Sequence, residues 1–96
     1  MRTLVLFLFA VILCSAAPAA LVPARIVSTA PGFTETVFAL DAGDRVVAVS
    51  TYCHYPAQVN KLQRVGDYLK PNVEAIARLK PDLVLVHAEQ KQIVQQ

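Results

Sequence analysis

The apolar positions of this chain fall into short runs separated by turn residues, and their period switches between that of a strand and that of a helix. Ile26-Val27, Val46-Val47-Ala48-Val49 and Leu83-Val84-Leu85-Val86 are unbroken runs, whereas Phe33, Val37 and Leu40 recur at i, i+4 and i+7. Short apolar runs bounded by turn residues predict strands buried on both faces, and the i, i+4, i+7 spacing predicts one apolar stripe on a helix. The first strand is therefore expected from Arg25 to Ser28, broken by Pro31-Gly32 ahead of a helix from Phe33 to Leu40. Asp41-Ala42-Gly43-Asp44 ends that helix in turn chemistry, and Val46 to Ser50 gives the second strand. Strand, helix and strand in this order predict a βαβ unit with a parallel crossover.

Downstream, Pro56 can start a short helix through Lys61, followed by a minimal strand at Arg64-Val65 and a loop from Gly66 to Pro71. Asn72 is an N-cap residue type, with Glu74 in the first turn and Val73, Ile76 and Ala77 on one apolar face. Lys80-Pro81-Asp82 stops the helix, Leu83 to Val86 is the most strongly patterned buried strand, and Glu89 to Gln96 begins another helical segment. The fold class is α/β, a short parallel sheet flanked by helices. About three helices are few for covering both faces of such a sheet, so the chain is expected to be an incomplete, N-terminal portion of something longer.

The first twenty residues carry a different pattern. Met1-Arg2-Thr3 is positively charged, Leu4 to Leu13 is continuously apolar, and Ala16-Ala17-Pro18-Ala19-Ala20 supplies small residues. This is the layout of a signal peptide over residues 1–19, with Ala17 and Ala19 at the −3 and −1 positions, which predicts export and a mature lobe over residues 20–96. A membrane span needs about 20 apolar residues, and Pro18 interrupts the run near its end. Leu13 stands before Cys14, where a lipid-attachment signal calls for a small residue. After cleavage Cys53 is the one remaining cysteine, so an internal disulfide is not expected and the thiol is open to oxidation or cross-linking. The net charge of +2 is spread among acids without a basic run, which argues against nucleic acid as a partner.

Candidate chemistry gathers where strands end. An open α/β sheet builds its ligand site beyond the carboxyl ends of its strands. Tyr52-Cys53-His54-Tyr55-Pro56 follows the second strand, and Tyr68 lies in the loop before the Asn72 helix, so both loops reach the same sheet edge. Tyr52 and Tyr68 offer flat apolar faces with a polar hydroxyl, suited either to a ligand or to covering a small core. Tyr55 and Pro56 read as structural, Tyr55 packing beneath the loop and Pro56 fixing φ. Cys53, His54 and His87 are metal-ligand types, but no CxxC or HxxxH spacing supports a metal site. No Gly-rich phosphate loop or G-x-S-x-G elbow occurs, so catalysis is not expected. A small metal-binding enzyme and an autonomous interaction module stand as the rivals of a different class.

Ile26-Val27-Ser28-Thr29-Ala30-Pro31, Thr34-Glu35, Val46 to Val49, Tyr52 to Pro56, Arg64-Val65-Gly66 and Asn72-Val73-Glu74 through Leu85 together resemble the N-terminal lobe of periplasmic substrate-binding proteins of ABC importers. That family serves cobalamin, ferric siderophores and haem, and the tyrosine loop followed by Asn-x-Glu is most similar to the vitamin B12-binding branch. The resemblance implies two α/β lobes joined by a long helix, with ligand held in the cleft between them. The linking helix and second lobe would be missing here. It further implies a periplasmic solute-binding component that captures cobalamin or a related corrinoid and delivers it to a membrane permease, with an iron siderophore or haem as the alternative ligand. Cobalamin would be cargo, and no cofactor is implied. By the same resemblance Tyr52 and Tyr68 line the cleft, the second replacing a tryptophan, and the turn at Pro31 and Gly32 approaches the ligand through backbone. Glu74 would dock against permease arginines, although a first-turn carboxylate also opposes the helix dipole, worth about 0.3–1 kcal/mol when exposed.

Overall fold

In the computed structural model, which describes residues 22–95, the sheet is built from β1 (Ile26–Ser28), β2 (Val46–Val49), β3 (Gln63–Arg64) and β4 (Leu83–Leu85). All neighbours are parallel and the order is β3-β2-β1-β4. β1 is therefore bonded on both sides, and Ile26, Val27 and Ser28 are all buried. The helices are α1 (Pro31–Ala39), α2 (Val73–Arg78) and α3 (Lys91–Val94), with single-turn 3-10 segments at Gly43–Arg45 and Ala57–Lys61. The expected α/β class and the parallel βαβ unit are borne out. The signal-peptide reading of residues 1–19, with Cys14, lies outside the described residues.

Two apolar layers cover the sheet, one on each face. Ile26, Val46, Val49, Val37, Cys53 and Val59 form the first, with Phe38, Leu62, Leu83 and Leu85 packed against them. Val27, Ala48, Val65, Ala75 and Ile76 form the second, joined by Val47, Leu79, Val84 and Ile93. β2 departs from simple alternation: Val46 and Val49 face one layer while Val47 and Ala48 face the other. The register explains this, because Ile26 pairs with Val46 and Val27 with Ala48, leaving Val47 as the extra residue of a bulge. A four-residue strand thereby serves both cores.

Local chemistry shifts several boundaries from the sequence reading. Pro31 and Gly32 do not break the chain ahead of α1 but form its first turn, where the missing proline N–H costs nothing. Leu40, expected on the buried stripe, is 73% exposed because it sits past the last helical residue, and Thr34 and Val37 form the buried face instead. On α2 the buried pair is Ala75 and Ile76, whereas Ala77 is exposed. β4 is half-buried along its length rather than fully buried, since it is an edge strand bonded to β1 alone. The helical segment expected from Glu89 is α3, starting two residues later.

Polar groups hold the ends of these elements. Asn72 caps α2 as expected, its Oδ1 accepting from the Ala75 N–H at 3.0 Å. At the other end Arg25 Nε donates to the Leu79 carbonyl at 2.9 Å, satisfying one of the acceptors a helix terminus leaves free. Asp82, just before β4, accepts from the N–H groups of Ala24 at 2.8 Å and Arg25 at 2.7 Å, tying the start of β1 to its neighbour. Those two backbone donors hold its carboxyl below the ordinary value of 3.8, with a smaller contribution from the Arg25 charge. A carboxylate with a depressed folded pKa stabilises above its unfolded value and loses that contribution as pH falls through the folded one. The amides of Ala24 and Arg25 should therefore lose protection, relative to those of β2, as pH drops below about 3.8. Hydrogen exchange read by NMR measures this, and Asp82→Asn should flatten the dependence.

Candidate functional site at the carboxyl edge of the sheet

With every strand parallel, the loops after all four emerge at one edge. The chain runs β1 to β2 to β3 in one direction and then returns to place β4 on the far side of β1. The crevice between β1 and β4 is thus a topological switch point, the place where open α/β sheets take ligands. Thr29, immediately after β1, bridges it by donating from its backbone N–H to the Leu85 carbonyl at 3.1 Å.

Three rings gather above this point. His87, from the loop after β4, lies 4.9 Å from the Phe33 ring of α1 and 5.5 Å edge-on from the Tyr68 ring. Tyr68 belongs to the loop after β3, at the opposite side of the sheet, so that loop must lean across roughly 14 Å, three strand spacings. Its turn is built for this. Gly66 adopts φ +90, and a Cβ there would collide with the Lys70 carbonyl and approach the Asn72 nitrogen at 2.9 Å. Asp67 Oδ1 then accepts from the N–H groups of Leu69 at 2.9 Å and Lys70 at 2.7 Å, an Asx turn that closes the tip. Tyr68 and Leu69 are left exposed at its apex.

The loop after β2 is anchored from below and from the side. Cys53 has no accessible surface, its Sγ lying 3.1 Å from Ser50 Oγ and 3.3 Å from Thr34 Oγ1, and Thr34 Oγ1 donates onward to Ser28 Oγ at 2.7 Å. Arg64 Nη1 donates to the carbonyls of Ser50, at 2.9 Å, and Cys53. The Thr51 N–H reaches the Gly66 carbonyl at 2.9 Å, joining this loop to the next. The result is a rigid base from which Tyr52 projects, 64% exposed.

The residues singled out from the sequence thus separate into groups. Tyr52 and Tyr68 both stand exposed at the same edge, although only Tyr68 enters a ring pair among the described residues. Tyr55, expected to pack beneath the loop, is 69% exposed, because Cys53 and Val59 already fill the space below. A Cβ at Gly32 would meet nothing within 4 Å, so no tight turn or close packing requires glycine there. Glu74 lies exposed in the first turn of α2, 3.7 Å from Arg78 one helical turn on, a pairing worth about 0.3–0.5 kcal/mol on a helix surface. The Cys53 thiol, expected to be open to oxidation, is buried among hydroxyls, while His54 and His87 are exposed. Sequence reasoning missed that His87 meets both Phe33 and Tyr68. The signal for His87 was its place directly after the last strand, at the edge where the tyrosines were already expected.

Residues 26–96 match the periplasmic binding protein family. The chain belongs to that family. A Bacillus subtilis ABC transporter substrate-binding lipoprotein is 51% identical over 65 residues, covering 68% of this chain and 20% of its own length. The vitamin B12-binding protein of Pectobacterium atrosepticum is 40% identical over 83 residues, covering 86% of this chain and 29% of its own. Among solved structures, the periplasmic vitamin B12-binding protein of Vibrio cholerae superposes with a TM-score of 0.62 at 47% identity, over 65% of this chain and 24% of that one. A periplasmic haem-binding protein from Pseudomonas aeruginosa gives 0.66 at 26% identity, over 77% and 29%. The chain therefore spans between a fifth and three tenths of the length of these relatives.

The described edge thus presents rings and exposed backbone on a stiff sheet. The stiffness has a direct test. Gly66→Ala should destabilise the chain by about 1–3 kcal/mol, since alanine must occupy a left-handed conformation against backbone atoms that cannot move aside. Urea denaturation measures the loss, and Gly32→Ala, which meets no such obstacle, should change stability by less than about 0.5 kcal/mol.

Proposed function

We propose that the chain forms one wall of the ligand cleft of an exported ABC-importer binding protein, and that the cargo is cobalamin or a related corrinoid. The observation that carries this reading is the ring cluster Phe33, His87 and Tyr68, with Tyr52 exposed on the same edge, at the switch point of the sheet. A broad flat macrocycle is recognised by broad flat apolar surface, and rings supply it at small entropic cost because few torsions need freezing. Vitamin B12-binding relatives at 40% and 47% identity support the same cargo. Pro31 and Gly32, in the first turn of α1 between β1 and Phe33, bring exposed backbone to the same region.

Haem or an iron siderophore is the second reading, supported by the Pseudomonas aeruginosa haem-binding structure. An anionic iron chelate calls for cations at the cleft. The arginine nearest this edge, Arg64, instead directs its guanidinium at the Ser50 and Cys53 carbonyls. The corrinoid stands first on the identities of the relatives, 40% and 47% for the vitamin B12-binding proteins against 26% for the haem-binding one.

Release requires a partner. Glu74 stands at the start of α2, beside the ligand edge, with a side chain 86% exposed and only a weak surface pairing to Arg78. Such a carboxylate suits charge-assisted, bidentate contact with arginines of a membrane permease, orienting a transient complex. The second lobe would contribute the facing wall and its own docking group, and the chain would reach the periplasm through the signal peptide of residues 1–19.

Calorimetric titration of cyanocobalamin and, separately, haemin into the natural protein carrying this chain tests the cargo. Saturable binding of cyanocobalamin is expected; binding of haemin alone would overturn the assignment. Tyr52→Ala should weaken corrinoid binding by about 1–3 kcal/mol, as for an anchor at the centre of a contact. Its melting temperature should hardly move, since the ring is exposed in the free protein. Glu74→Ala should lower uptake into cells or vesicles while leaving ligand affinity intact, and unchanged uptake would reject the docking role.

A further inference from the structure

Among the described residues Gln90 is the largest side chain without appreciable exposure, 1%, and the other fully buried side chains are small or apolar. Burying an amide requires that its donors and acceptors be met, and here the partners come from three separate segments. Oε1 accepts from the His87 N–H at 3.1 Å and shares the single hydroxyl proton of Thr29, at the end of β1, with the Leu85 carbonyl, the two acceptors lying 2.9 and 2.8 Å from Oγ1. Nε2 reaches the Tyr68 carbonyl at 3.5 Å, in the loop from β3. The Gln90 N–H returns to the His87 carbonyl at 3.0 Å, closing the turn between them. A backbone N–H can only donate, so the His87 contact fixes which end of the amide faces β4 and which faces Tyr68.

The two loops that Gln90 bonds are those whose rings meet above it. Tyr68 and His87 are 19 residues apart in sequence, and their 5.5 Å ring contact joins opposite sides of the sheet. At its far end the leaning Tyr68 loop meets Nε2 of Gln90 in a long contact of 3.5 Å and the His87 ring at 5.5 Å. We infer that Gln90 is a positioning residue: it locks the Tyr68 and His87 loops into one continuous ligand-facing aromatic surface. The inference rests on the reading that this surface takes the cargo. Its structural content stands apart from which cargo that is.

Two variants test it in the natural protein carrying this chain. Gln90→Met keeps the volume and removes every side-chain amide hydrogen bond; Thr29→Val keeps the shape and removes the hydroxyl that Oε1 shares with the Leu85 carbonyl, so it serves where the first variant folds poorly. In both, the His87 ring protons should lose the ring-current displacement imposed by Tyr68 and Phe33. In Gln90→Met, which removes its acceptor, the His87 amide should exchange about tenfold faster, the equivalent of one lost hydrogen bond, and in Thr29→Val by a smaller factor, while amides in β1 and β2 keep their protection. Cyanocobalamin should dissociate about tenfold faster from Gln90→Met, with little change in association. Unaltered His87 ring shifts and amide protection in both variants would overturn the positioning role. Loosened rings in a protein that binds no cyanocobalamin would uphold the positioning role and sink the corrinoid reading, so the two failures are distinguishable.

Discussion

Parallel pairing of β1 with both β2 and β4 is the constraint on which everything else rests. It removes the central strand from water entirely, so Val27 has no exposed surface and Ile26 almost none. It also sends every strand's carboxyl end in one direction. A mixed sheet of the same four segments would scatter Phe33, Tyr52, Tyr68 and His87 between two edges. In the parallel one they share an edge, and the reversal of strand order between β1 and β4 opens the crevice over which three of them sit.

A parallel sheet brings loops together but does not hold them, and in this chain the holding is done by buried polar side chains. Ser28, Thr34, Ser50 and Cys53 form a hydroxyl and thiol chain under the β2 loop, and Gln90 does the equivalent under the β3 and β4 loops. Polar groups out of water are tolerable only when partnered, and no described buried side-chain nitrogen or oxygen lacks a partner. Each such network has few arrangements that satisfy all its members, so it specifies loop geometry more sharply than apolar contact does. That is useful to a binding surface, because ordering a loop before the ligand arrives lowers the entropic cost of capture.

The cavity of about 510 Å³ lined by Phe38, Asp41, Asp44, Gln58 and Leu62 lies at the opposite end of β2, away from the rings. Concavity alone points there and to an apolar groove of about 390 Å³ along Phe33, Val37, Leu83 and Leu85. The rings at the switch point lie instead on a shallow surface.

What the residues by themselves determined was local and periodic. The apolar runs at Ile26, Val46 and Leu83, the stop at Lys80-Pro81, and the cap at Asn72 depend on short-range sterics and on hydrogen bonds within a few positions, and they are where pattern reading placed them. The edge location of Tyr52 and Tyr68 followed from parallel topology, itself legible in the alternation of strand and helix. Tertiary structure alone decided the rest. The bulge at Val47, the burial of Gln90 and the meeting of Tyr68 with His87 all depend on contacts between segments far apart in the chain. No local rule carries them, because whether a side chain is buried or left exposed is settled by what else already fills the space beneath it.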